Sequence, residues 1–407
     1  VVHDLSGEHV YPAFIDPFIE VETPRPDGDQ PGRHWNENVT PGRSVLDGKG
    51  IEADKAKSRR ELGFGAALVV PEGGVFAGST AVVSLAEHPT DRSVERVEMY
   101  RNGGFQALDF ETRGWSSRSY PTSTPGVVAL MRQTLIDADW QAEWAPTLDG
   151  SNPANAISPL EDRATPLLFD CAHELEHFLA ADIAGEFDRP VVLVGNGMEF
   201  KWLDGIADLG LDMVVPLRFP ARPDVSSVGK AESVELETMM AWEQAPTNPR
   251  RLVEKMPDVN LALTASMLPK GRDFHDELRI AIKNGLSEDD ALAMLTTGPA
   301  VIVGVADQIG TIEKGKRANL LVTSGPVFDK DSEFYDIWID GVRHELGDRP
   351  GPGFDGDWRF YVGPEDEPVF EMTLEISGSP DKPKVVGTET WAAGLADGEQ
   401  AEAHSSE

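Results

Sequence analysis

The sharpest chemical pattern in the sequence is His173-Glu174-Leu175-Glu176-His177. On a helix, two histidines four apart turn both imidazoles to one side for zinc, and the glutamate beside the first can act as general base. A third ligand would come from Glu186 or Glu199. Against this stands a solvated first helical turn after the apolar run Pro166–Cys171, since motifs this short also match by chance. His34, Trp35 and Asn36 form a second candidate, an indole and polar groups that could stack on and hydrogen-bond a ligand. The alternative there is a loop pinned by a buried tryptophan. Glu72, Gly73 and Gly74 follow an apolar run, so their amides could face a ligand, although a tight turn explains the glycines equally well. Gly195-Asn196-Gly197 lacks the spacing of a phosphate cradle and reads as a turn; His275 reads as a helix-surface or cap residue, and Asp16 as structural. There is no Gly-x-Ser-x-Gly elbow, and Cys171, with His173 two residues on, reads as an inert strand-end thiol.

These residues must be positioned by the elements around them. Short apolar runs suit strands buried on both faces: Val10–Phe18, Phe64–Val70, Pro166–Cys171, Val191–Val194, Met213–Leu217 and Leu261–Thr264. Helical segments lie between them at Glu174–Phe187, Glu199–Leu209, Ser233–Gln244 and Asp273–Asn284, and Ser287 opens another with Asp290 in its first turn. This alternation favours a parallel sheet closed into a barrel, which would put strand-end residues on the functional face. Pro24–Gly50, rich in Pro, Gly, Asp and Asn, reads as a long loop over the barrel mouth, and Asp149–Asp162 as a second loop. After Gly310 the pattern changes to short strands at Ala318–Thr323, Tyr335–Val342, Trp358–Val362 and Phe370–Ile376, punctuated by Gly347–Asp357.

The 407 residues suffice for a large barrel with a small appended domain, and a hydrophobic content of 40% supports a sizeable core. No run of eighteen apolar residues would span a membrane. Seventy acidic residues against 36 basic ones give a formal charge of −34, which argues against nucleic acid and anionic lipid as partners. The acids are spread along the chain, so a shell suited to saline surroundings is preferred over attraction of cationic substrates. A single cysteine excludes an internal disulfide and leaves the compartment open between cytoplasm and export.

Three segments resemble the amidohydrolase superfamily, in its imidazolonepropionase-like branch. HVYPAFIDPF (His9–Phe18) is similar to its first barrel strand, Gly63–Leu85 to its second strand and glycine-rich loop, and Asn284–Val322 to its final helices and glycine-lysine turn. The resemblance implies a TIM-type (β/α) barrel with a small composite β-sandwich: residues 1–10 a sandwich remnant, 11–308 the barrel and 309–346 the return strands. A β-rich segment over 347–393 and a disordered tail over 394–407 follow from the pattern itself. With only about nine residues before the first barrel strand, and no initiator methionine, the chain is expected to begin upstream. A second barrel in the same full-length protein is one expected partner.

In the family, histidines on the first and middle strands and an aspartate on the last bind divalent metal, which activates water. Here those positions fall at Phe18 and Glu20, at Asp170 and Lys201, and near Ala265, while Asn319 stands where the family usually has Asp. The metal site is therefore expected to be lost or altered, with no stoichiometric cofactor. Should a divalent metal such as zinc still bind, Glu20, Asp170, His173 and His177 are its expected ligands. Asp170 and Glu20 are the catalytic candidates, and His34, Trp35, Asn36 and Glu72 the substrate-binding ones. The resemblance implies hydrolysis of C–N bonds other than peptide bonds, of the cyclic-amide type, on a small-molecule substrate. The competing expectation is a non-catalytic binding or structural barrel.

The charge gives a direct test. The Debye length shrinks from roughly 30 Å at 0.01 M salt to roughly 3 Å at 1 M, so self-repulsion at −34 should fade across that range. Melting curves at pH 7 should show a midpoint that rises with sodium or potassium chloride; a flat or falling midpoint would show the acids already neutralised locally.

Overall fold

The structure, a computed structural model, describes residues 3, 5–26, 33–87, 99–111, 120–144, 156–349, 356–362, 370–379 and 382–391. Contacts divide the chain into two units, Val1–Leu346 and Gly347–Glu407. The first unit opens with β1 (His9–Pro12) and β2 (Phe14–Val21), followed by α1 (Ala53–Glu61), β3 (Phe64–Pro71), β4 (Phe76–Ser84), β5 (Met99–Asp109) and α2 (Thr124–Trp144). Then come β6 (Leu167–Asp170), α3 (Glu176–Glu186), β7 (Val191–Val194), α4 (Leu203–Leu209) and β8 (Met213–Pro216). Helices α5 (Val228–Ser233), α6 (Leu236–Gln244) and α7 (Asn248–Lys255) precede β9 (Leu261–Thr264). Helices α8 (Phe274–Lys283), α9 (Glu288–Leu295) and α10 (Thr297–Ile302) lead to β10 (Leu320–Thr323), β11 (Phe334–Ile339) and β12 (Val342–Glu345).

Strands β2 to β9 form one eight-stranded sheet in sequence order, the TIM-type barrel that the resemblance implied. It departs from a purely parallel sheet at one strand: β4 runs antiparallel to both β3 and β5, so a hairpin replaces one strand–helix unit. The alternation of buried side chains explains the packing, because successive residues of a strand point to opposite faces. Leu168, Val192, Val194, Val214 and Ala262 join one core cluster with Ile15, Phe18, Leu68 and Val70, inside the barrel. Their neighbours Leu167, Phe169, Leu193, Met213, Val215, Leu261 and Leu263 belong to a second cluster, with Leu130, Ile183 and Leu278 of the surrounding helices. Ala300, Ile302, Val303, Val305 and Ile309 extend the inner cluster. They lie beside the start of β5, where the Gln308 amide donates to the Tyr100 carbonyl (3.2 Å) and the Arg101 guanidinium to that of Val303 (3.2 Å).

The sheet's two ends, β2 and β9, meet through side chains. The Thr264 hydroxyl donates to Asp16 Oδ1 (2.6 Å), and the Ser266 hydroxyl to the Phe18 carbonyl (2.6 Å). Arg59, from α1, sits 2.9 Å from Asp16 Oδ2 and donates to Ser266 Oγ (3.0 Å). Asp16 is fully buried, and burial raises its pKa in spite of Arg59.

A four-stranded antiparallel sheet, β1-β10-β11-β12, accompanies the barrel, and Asn319 ties the two together. Its amide donates to the Tyr100 hydroxyl (2.8 Å) and accepts from the Asp340 backbone (2.8 Å), whose carboxylate takes hydrogen bonds from Tyr100, Ser84 and Arg317. Only an amide can both donate and accept in this way; an ionised aspartate could not donate to the Tyr100 oxygen. Within the second unit, β13 (Gly356–Val362), β14 (Phe370–Ser379) and β15 (Lys382–Trp391) make a three-stranded antiparallel sheet. The residues read as a tail, 394–407, lie outside the described ones, as does part of the Asp149–Asp162 loop.

Several sequence expectations shift. The Val10–Phe18 run is two strands in two sheets, β1 and β2, and the expected helix over Ser233–Gln244 breaks at Val234 into α5 and α6. Ser287 does cap α9, accepting from the Asp290 amide (3.0 Å). Strands β4 and β5 and helix α2 were not anticipated. Among the described residues no helix is long and apolar enough to cross a membrane.

The β2–β9 seam can be tested by unpairing it. Arg59→Met would leave a buried charge without its partner and should cost about 3–5 kcal/mol in denaturant titration. Adding Asp16→Asn should recover much of that loss. A single variant as stable as the parent would refute the role given to this pair.

Candidate active site

Barrel parity decides which side chains reach the mouth. On β6, Leu168 faces inward, so Asp170 does too; on β5, Ala107 and Asp109 share the inner face; on β2, Phe18 and Glu20 do. Asp109 and Asp170 are register partners on adjacent parallel strands. Neighbouring strands lie about 4.8 Å apart, so the two carboxyls stand side by side on the same face. They line a cavity of about 20 Å³ together with Phe18, Glu20, Val70 and Gly73. That is room for about one water molecule.

Crowding of carboxyls at a half-buried strand end sets their protonation. Burial, then the charges of Asp170 and Glu111, push the Asp109 pKa up to about 8. Burial and the charges of Glu20 and Glu176 push Asp170 up to about 7, with Arg218 pulling the other way. Glu20 is raised by burial and by Glu72, against the pull of Lys55. Between about pH 7 and 8 the Asp109–Asp170 pair therefore holds about one proton between its two members.

The other sequence candidates are distributed differently. Helix α3 begins at Glu176, not Glu174, so His173 lies ahead of the helix and the four-residue spacing no longer aligns the two imidazoles. His173 is exposed and its amide donates to Glu176 Oε2 (3.0 Å). His177 is fully buried, with Nδ1 at 3.0 Å from the Glu174 carbonyl and Nε2 at 3.8 Å from Glu199 Oε1. Glu199, proposed as a third ligand, is occupied by the Asn196 and Gly197 amides (2.7 and 2.9 Å) and the Asn248 side chain. This makes Gly195–Gly197 the turn it was read as, with Gly197 at φ +83°. Glu186 pairs with Arg132 (2.6 Å). Lys201 bridges Glu174 (3.1 Å) and Glu237 (2.9 Å).

Gly73 and Gly74, at φ +67° and +111°, form the β3–β4 hairpin turn, and the Gly74 amide donates to Glu111 Oε2 (3.1 Å) rather than facing an open site. Glu72 contributes its charge to Glu20 and its carbonyl to Arg43. In the long loop, Asn36 is buried, its amide donating to the Tyr120 carbonyl (2.9 Å) and accepting from the Asn38 backbone (2.9 Å). Asn36 therefore anchors that loop, and Trp35, far from being a buried pin, is exposed. His275 packs edge-on against Phe334 (5.1 Å), and burial lowers its pKa to about 4, so it is not a surface residue. Cys171 is buried and its thiol pKa is pushed up by desolvation, in keeping with an inert thiol.

Phe18 and Ala265, at positions where the resemblance would place metal ligands, carry no ligating atom. The first-strand position is the Phe18 ring, inside the barrel. Ala265 packs with the outer cluster, so the residues beside it that reach the β2–β9 seam are Thr264 and Ser266, hydroxyls bonded to Asp16 and the Phe18 carbonyl. Among the described residues no group of three or more His, Cys, Asp or Glu side chains is arranged to hold a metal ion.

Asp109 is the site residue that sequence reasoning missed. Its strand, MYRNGGFQALD, carries Arg, Asn and two glycines at its third to sixth positions and does not read as an apolar run. The available signal was the similarity of its end, Ala-Leu-Asp, to the Leu-Phe-Asp that ends β6.

With fold and site in view, comparison with known proteins places the chain. The Amidohydrolase family profile matches residues 258–344. An imidazolonepropionase of Thermoplasma acidophilum is 30% identical over 103 residues, a stretch covering 25% of this chain and 25% of that enzyme. The crystal structure of an amidohydrolase from Thermotoga maritima superposes with a TM-score of 0.66 at 21% identity, covering 84% of this chain and 88% of that one. Over residues 258–344 the chain is thus similar to the amidohydrolase family, and over 84% of its length it shares the fold of that amidohydrolase. The chain spans about a quarter of the length of the imidazolonepropionase it matches.

The raised carboxyl has a stability signature. Asp109 titrates near 3.8 when unfolded and near 8 when folded, so between those values the folded chain binds more protons. Stability from this group is present below about pH 4 and is lost as pH rises through 8. Asp109→Asn, neutral throughout, should match the parent near pH 4 and exceed it by roughly 1–3 kcal/mol at pH 9. A constant offset across that range would contradict the assignment.

Proposed function

We propose that this barrel hydrolyses a C–N bond other than a peptide bond, of the cyclic-amide type, with the Asp109–Asp170 pair in place of the family's metal. The observation that carries the reading is the register pairing of two inward carboxyls at adjacent strand ends. Near neutral pH the pair supplies one carboxylate and one carboxylic acid, the two forms that amide hydrolysis needs. Asp170, the lower of the two, takes a proton from water as the water oxygen attacks the amide carbon. Asp109, held protonated, gives its proton to the ring nitrogen as the C–N bond breaks. Proton transfer from Asp170 back to Asp109 restores the starting state. The cavity between them has the size of the attacking water. Glu20 adds the negative charge that keeps the pair's titration near neutrality, and Arg218 tempers it on the Asp170 side.

The second reading is a non-catalytic binding or structural barrel within a longer protein. It draws on the Phe18 ring, which fills the mouth where the family keeps a ligand, and on the small size of the remaining cavity.

One experiment separates the two. Five- and six-membered cyclic imides, lactams and imidazolones are incubated with the chain in excess chelator, and ring opening is followed by NMR. Hydrolysis should peak between about pH 7 and 8, falling below as Asp170 protonates and above as Asp109 ionises. Asp109→Asn and Asp170→Asn should each lower the rate by roughly 10²–10⁴-fold. Absence of ring opening across the panel would favour the binding module. Activity that appears only on adding divalent metal would refute the carboxyl-pair mechanism.

A further inference from the structure

Away from the carboxyl pair, the long loop after β2 presents aromatic rings to solvent in a way that core packing does not explain. Trp35 is 69% exposed and Tyr120 43%. Their rings stack with centroids 6.3 Å apart and planes 23° from parallel. With one side of the indole on Tyr120 and most of its surface exposed, a large part of the ring face is open to a ligand.

The platform is held in place rather than loosely hung. Asn36 and Asn38 are buried, and the Asn36 amide spans from the Tyr120 carbonyl to the Asn38 backbone. The Thr40 hydroxyl donates to the Phe76 carbonyl (2.9 Å), fastening the loop along β4. The Tyr120 hydroxyl donates to the Gly126 carbonyl (2.6 Å), fixing that ring to the start of α2. The cost of ordering these rings is thus met before any ligand arrives, the condition under which a weak stacking contact yields measurable affinity.

Charge selects the occupant. His34, 5.3 Å from Trp35, has its Nδ1 beside both the backbone N–H (3.1 Å) and the carbonyl (3.3 Å) of Asn36. Burial lowers the His34 pKa, while the charge of Asp137 reaches it from α2. The aromatic faces carry a negative quadrupole, and the chain's −34 charge concentrates cations at its surface. An anionic ligand is repelled by the same field.

We propose that Trp35 and Tyr120 form a binding platform for the ammonium group of a small organic cation, seated over the open indole face, with Asp137 supplying the nearby negative charge. The proposal does not depend on the chemistry of the Asp109–Asp170 pair.

The probe is tetramethylammonium chloride, titrated into the full chain against sodium chloride at equal ionic strength. The indole N–H resonance of Trp35 is followed, assigned by its loss in Trp35→Leu. A saturable shift with a millimolar dissociation constant is expected. Trp35→Leu should weaken binding, read by saturation-transfer NMR on the probe, at least 5-fold, and Asp137→Asn about 2-fold. Because Trp35 is exposed, an unchanged melting midpoint will show that the variant folds. tert-Butanol serves as a neutral counterpart of similar shape. Equal affinity for it, selective binding of a methyl glycoside, or a shift that never saturates would each overturn the proposal.

Discussion

The barrel depends on one fully buried carboxylate. Strands β2 and β9 end the sheet, and Asp16, Arg59 and Thr264 join them with an ion pair and hydrogen bonds. A charge placed out of water is tolerated only when its lone pairs are answered. For Asp16, Thr264 and the Phe18 amide answer Oδ1 by hydrogen bonds, and the Arg59 guanidinium answers Oδ2 by charge. Phe18 and Glu20 lie two and four residues along the same strand, so the hold on Asp16 also fixes where the mouth-lining side chains of β2 stand.

The mouth shows the same physics with a different outcome. Asp109 and Asp170 are half-buried and Glu20 is exposed, and their close neighbours include other carboxyls. Where Asp16 is paired with a guanidinium, the Asp109–Asp170 pair is partly neutralised by protons. Two solutions to crowded charge thus sit in one barrel, the first maintaining it and the second suited to moving a proton.

Much of this was legible in the sequence, for identifiable reasons. Strands β6 to β9 are short and buried on both faces, so continuous apolar runs revealed them, and the final helices carried capping signals such as Ser287. Asp170 was singled out through the resemblance, as the residue at one of the family's middle-strand histidine positions. Strand β5 was not found, since its first half is polar and partly exposed, and Asp109 went with it. The His173–His177 spacing misled because a spacing rule assumes the helix has already begun, and this helix starts three residues later. Asn36 was assigned to a ligand because its partner, the Tyr120 carbonyl, is 84 residues away, beyond what local sequence shows.

The down-running strand β4 also bears on the order in which the chain can assemble. Strands β3, β4 and β5 pair as antiparallel neighbours in sequence, so their ladders can form before distant parts of the chain arrive. The remaining pairings are parallel and need crossovers, and the last contact, Thr264 to Asp16, spans 248 residues. During synthesis the meander can therefore stand as a template on which later strands add in turn. Until β9 emerges, the β2 edge remains unpaired and open to wrong partners.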